Sequence, residues 1–186
     1  DWLIALATYS CGLLLAVVVT VAVAITSIGW DTRPGSSIFY RTRARRLSTV
    51  LLPRLIVDWL IALATYSCGL LLAVVVTASA IGHPPAGVVV RTWVACGLYI
   101  VMAMSIGHLL AASLRRTTTA IALTTLLVLV LPVMNQVPGT SRWAPTALLL
   151  PAGLHAMPVV AALVVTGLCA VGSVLIARRQ MLRRDA

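Results

Sequence analysis

The chain has 186 residues, 61% of them hydrophobic and 10% charged, with a mean hydropathy of +1.06. An ordinary soluble domain carries about 25% charged residues, so this composition excludes one and points to membrane-spanning segments. The net charge of +10 comes from fourteen Arg against four Asp, with no Lys and no Glu. Because the arginines lie between apolar runs, retention of positive charge on the cytoplasmic side accounts for them better than nucleic-acid binding does.

The first apolar run, Leu3–Ile28, holds no charged residue. As a helix it is about 39 Å long, enough to cross a hydrocarbon core of about 30 Å with some tilt. The stretch DWLIALATYSCGLLLAVVVT at 1–20 recurs without a difference at 58–77. Inverted repeats that evolution has kept are only weakly similar in sequence, so identity implies a recent duplication or an artefact of gene assembly. The chain begins with Asp1 rather than Met, and its N-terminus reads as incomplete.

A basic segment, 31–57, follows, with Arg33, Arg41, Arg43, Arg45, Arg46 and Arg54. Ile38, Phe39 and Tyr40 precede four of these arginines, and Leu47, Val50 and Leu51 then fall at i, i+3 and i+4. Such a segment either lies in the membrane interface or docks a partner, or else it is a solvated loop. Asp58 comes four residues after Arg54 and reads as an anchor at the start of the next span.

Four more spans are predicted at 59–81, 93–114, 117–137 and 156–177, with Trp2, Trp30, Trp59 and Trp93 at span ends where the headgroup layer favours them. The connection 82–92 holds only Arg91, and 138–155 holds only Arg142. By contrast Arg115–Arg116 fill the turn between two spans, and the tail RRQMLRRDA carries four arginines. This alternation places 31–57, the 115–116 turn and the C-terminus in the cytoplasm. The expected fold is an all-α polytopic membrane protein of about five transmembrane helices, forming a single transmembrane domain over 1–186 in the cell membrane.

Candidate sites within the spans are few. Ala103, Gly107 and Ala111 repeat at four-residue spacing, as do Thr65, Gly69, Ala73 and Ala162, Thr166, Ala170, which suits close helix packing within the subunit or across a dimer seam. His108 lies inside a span and is an intramembrane polar site or an imidazole bonded to a neighbouring helix. His83 and His155 fall in outer connections, and Asn135 and Gln136 close the fourth span. Cys11, Cys68, Cys96 and Cys169 show no CxxC or CxxH spacing, so neither a disulfide framework nor a metal site is expected. The motifs GxxxxGK[ST], HExxH and GxSxG do not occur, which disfavours an enzyme; with every Asp near a span end, no buried carboxylate relay is expected either.

The order of features resembles one family. A basic amphipathic segment leads into a span, two spans join at LRRTTTAIA, SRWAPTALLLPAGL precedes the last span, and the chain ends in RRDA. Over about 24–186, and best from Leu47 onward, this is similar to the permease subunit of type 2 ATP-binding-cassette (ABC) exporters, of actinobacterial flavour. The family has six spans, so the resemblance implies a missing N-terminal span here. It implies a cytoplasmic amphipathic coupling helix near 36–47, with Phe39, Tyr40, Arg41, Arg43, Arg45 and Arg46 touching a separate ATP-binding subunit that holds ATP and Mg. It also implies a second permease subunit and short outer re-entrant helices within 138–155. With no charge inside the spans, a hydrophobic or amphipathic cargo (drug, lipid or peptide antibiotic) is expected. Two other readings remain: a haem-binding membrane anchor using His108 with a second imidazole, and a membrane assembly protein that transports nothing.

Overall fold

The computed structural model describes residues 48–80, 82, 85–114, 117–132, 143–149 and 154–183. The first copy of the repeated stretch, the 3–28 run and the proposed docking residues Phe39, Tyr40, Arg41, Arg43, Arg45 and Arg46 lie outside the described residues. What is described is all-α. Helix α1 runs Ser48–Ala80, α2 Ala86–Ser113, α3 Thr117–Val130 and α4 Ala156–Arg183, with a short 3-10 helix at Pro145–Leu149.

Three of these helices are long and apolar enough to cross a membrane, over Leu52–Ser79, Ala86–Ser113 and Ala156–Ala177. In a bilayer the backbone must satisfy its own hydrogen bonds, and a continuous helix does so. Helix α1 starts well before Trp59, the predicted start of its span. Only Pro53 interrupts LLPRLIVDWL; it removes one backbone hydrogen bond near the start of α1, and the helix continues through it. Arg54 and Asp58 are one turn apart and do not break the helix. Trp59 and Trp93 therefore lie inside helices rather than at their ends. Trp59 packs against the core, and Trp93 Nε1 donates to Ser67 Oγ on α1 at 2.8 Å.

Helix α3 departs from the predicted 117–137 span. It covers Thr117–Val130, about 21 Å of rise, before Leu131 and Pro132 tighten into a 3-10 turn. Pro132 has no N–H to give to the Val128 carbonyl, and Tyr99 Oη on α2 donates to that carbonyl instead, at 3.3 Å.

Helix α2 is the centre of the bundle. Its apolar window is 61% buried, against 17% for α1 and 22% for α4, and α1, α3, α4 and the short helix all pack on it. Tyr99, Ile100, Met102, Ala103 and Met104 are almost wholly buried. Leu71, Leu72 and Val75 on α1 and Leu168 and Val171 on α4 face outward. An apolar exterior of this kind is what lipid tails solvate. Between α1 and α2 the chain reverses at Gly82, whose φ of +119° is a conformation that side chains disfavour; its N–H closes the end of α1 on the Thr77 carbonyl at 3.2 Å.

Candidate functional site

In an apolar bundle a polar side chain must find a partner inside the protein. Most do so within their own helix. Ser105, Thr124 and Thr166 are buried, and each donates its hydroxyl to the carbonyl four residues earlier, at 2.8, 2.7 and 2.7 Å. Three buried atoms are exceptions among the described residues: Asp58 Oδ2, Trp59 Nε1 and His108 Nε2 make no hydrogen bond.

Two of the three face each other. His108 Nε2 lies 3.4 Å from Asp58 Oδ2, with the side chains only 7% and 12% exposed. The approach is within ion-pair distance, but its angles are not those of a hydrogen bond, so both atoms count as unsatisfied. Arg54, one turn before Asp58, acts electrostatically on both groups. The apolar helical stretch Leu52–Ser79 begins before the expected 59–81 span, so Arg54 and Asp58 fall inside a continuous apolar helix rather than ahead of it. A signal for the pair was present in the chain. Asp58 and His108 stand 24 and 26 residues either side of Gly82, so an antiparallel hairpin of α1 and α2 brings them to one level.

The small-residue stripes divide by direction. Ala103 and Gly107 are buried and Ala111 half-buried, on the inner faces of α2; Ala162 and Thr166 are buried on α4. Thr65 and Gly69 on α1 are exposed, and a Cβ added at Gly69 would meet nothing within 4 Å. Two other glycines sit against neighbouring side chains. A Cβ at Gly172 on α4 would lie 3.0 Å from Leu109 Cδ1 on α2, and one at Gly97 would lie 3.2 Å from Leu63 Cδ2.

The short helix Pro145–Leu149 is seated between α2 and α4, with Thr146, Ala147 and Leu148 buried. His155 is exposed at the start of α4, about 25 Å of helix rise from Gly172, the residue that meets the neighbour of His108. His83, Asn135 and Gln136 lie outside the described residues. Cys68 is exposed, Cys96 and Cys169 are buried, and all three are free thiols. Among the described residues no three His, Cys, Asp or Glu side chains are grouped to hold a metal ion. A small apolar groove of about 180 Å³ runs between α1 and α4, lined by Leu52, Leu55, Ala170, Val171, Val174 and Leu175.

These features define the class: a multi-pass α-helical membrane protein whose described helices pack on a buried central helix, with an ionisable pair between two of them. No family model, curated protein or solved structure matches the chain.

Proposed function

We propose that this chain is the permease subunit of an ATP-driven type 2 exporter, moving a hydrophobic or amphipathic cargo such as a drug, lipid or peptide antibiotic. The observation that carries the reading is the short helix Pro145–Leu149, buried between α2 and α4 immediately before the last long apolar helix. An irregular element at that point is tolerated in a membrane protein only where protein shields it. It agrees with the outer re-entrant helices that the family resemblance implies.

The mechanism is alternating exposure of a path between two permease subunits. ATP and Mg bind in separate ATP-binding subunits, as the family resemblance implies. Phe39, Tyr40, Arg41, Arg43, Arg45 and Arg46 form the docking segment, with aromatic anchors and guanidinium groups suited to a cleft in a soluble partner. The basic segment joins directly to α1, so motion of the partner reaches the bundle through that helix. Haem ligation by His108 is the weaker reading, because Asp58 faces its Nε2 and His155 is far along α4.

The test is purification of the natively expressed chain in mild detergent, beside an R43A/R45A/R46A variant, with co-purifying subunits identified by mass spectrometry. A P-loop ATPase present with the native chain and lost from the variant is the expected result. Absence of any ATPase, under conditions that keep a known exporter intact, refutes the reading and favours a membrane assembly protein.

A further inference from the structure

We propose that Asp58 and His108 form a proton-binding site within the bundle, and that Arg54 is the counter-charge that keeps it unloaded. The inference does not rest on the exporter reading. It starts from the geometry of two facing, buried, unbonded polar atoms 3.4 Å apart on neighbouring spans. A guanidinium stands one turn away on the same face of α1.

Charge neutrality decides what this trio does. A guanidinium group carries a fixed positive charge. With Asp58 ionised and His108 neutral, the three groups sum to zero. One more proton would leave a net positive charge among apolar side chains, which is strongly disfavoured. If the Arg54 side chain swings away toward the nearby end of α1, an uncompensated carboxylate remains. Neutrality then returns by taking up one proton between Asp58 Oδ2 and His108 Nε2. That proton also supplies what the pair lacks, because a slight approach of the two atoms makes a charge-assisted hydrogen bond between α1 and α2.

No other titratable group competes at this level among the described residues. Helix α3 and the short helix carry none. Helix α4 carries Cys169 within its span and arginines only from Arg178 onward. On α2 the next ionisable side chains are Tyr99, Cys96 and Arg91, of which Tyr99 is about 14 Å of rise away and donates to Val128. On α1 they are Tyr66, about 12 Å of rise from Asp58, and Cys68 beyond it. Arg54 lies in the second turn of α1, close to the start of that helix.

The experiment labels the histidines of the full chain in lipid nanodiscs and follows their ring signals by NMR between about pH 5 and 9. H108Q assigns the His108 signal, and the other two histidines serve as internal references. Native His108 is expected to stay neutral throughout. In R54Q, and in R54M, which keeps an apolar stem and needs no desolvated charge, the pair should take up one proton with a midpoint raised by about one pH unit or more. R54K should behave like the native chain, and R54Q/D58N should lose the uptake. A His108 signal unchanged in both R54Q and R54M, a charged His108 at neutral pH in the native chain, or equal shifts in R54K and R54Q would each overturn the proposal.

Discussion

Trp59 and Gly172 show how single positions are balanced in this bundle. Trp59 Nε1 is buried without a hydrogen bond, although the ring packs against the core. Removing an unsatisfied donor while keeping an aromatic ring offsets some lost contact area. W59F is therefore expected to leave the apparent melting temperature in detergent unchanged or slightly raised; a fall of several degrees would mean that the indole N–H has a partner. Gly172 is the opposite case, a position where the neighbour sits close enough to feel one added carbon. G172A asks only that the end of Leu109 give by a few tenths of an ångström, and should change stability by less than about 1 kcal/mol. G172L adds a branched side chain to the same seam and should cost about 1–3 kcal/mol, read from denaturation in mixed micelles. Equal stability for both variants would show that α2 and α4 do not pack closely there.

At the scale of elements, α3 is the helix that most needs its neighbour. Its 14 residues are too short to span a typical hydrocarbon core alone, and Pro132 ends its ladder. Tyr99 ties its last turn to α2 through the Val128 carbonyl. Y99F should therefore cost about 1–3 kcal/mol and speed amide exchange in the last turn of α3, with little effect on α4. Uniform exchange rates across native and Y99F protein would sink this account. The sequence showed a long apolar run here, and Pro132 was the visible sign that it would not stay helical throughout. That Tyr99 would be the residue to cover the break was not legible, since the bond joins positions 29 residues apart.

For the whole molecule, the arginine distribution and the described helices make a joint prediction about sidedness. With the cytoplasmic face at the start of α1 and the end of α4, the turn between α1 and α2 is outside. In a cysteine-free background, A86C should react with a membrane-impermeant maleimide in intact cells, and a cysteine added after Ala186 should react only after lysis. The reverse pattern would invert the topology. Burial supports the arrangement of the bundle independently of its sidedness. A helix hydrophobic all round, such as α2, can be either central or lipid-facing by composition, and only its surroundings distinguish the two. The chain gave α1, α2 and α4 almost the same apolar character, yet α2 alone is enclosed.

What the sequence determined by itself was the class of fold and the approximate number and position of the long apolar helices, because transfer of side chains into lipid depends on composition over about 20 residues. That α1 and α2 turn about Gly82, and that Asp58 and His108 stand level across that hairpin, came only with the structure. Tertiary structure alone decided which helix is central, which small residues face inward, and that the short helix at Pro145–Leu149 is buried. The physical reason is common to all three. Within a membrane the hydrophobic effect no longer sorts inside from outside, so orientation follows from close packing and hydrogen bonding between segments distant in the chain. The same reason explains why Asp58 looked like an anchor at a span end. Its depth was set by how far α1 extends toward Ser48, and its chemistry by the imidazole it meets on another helix.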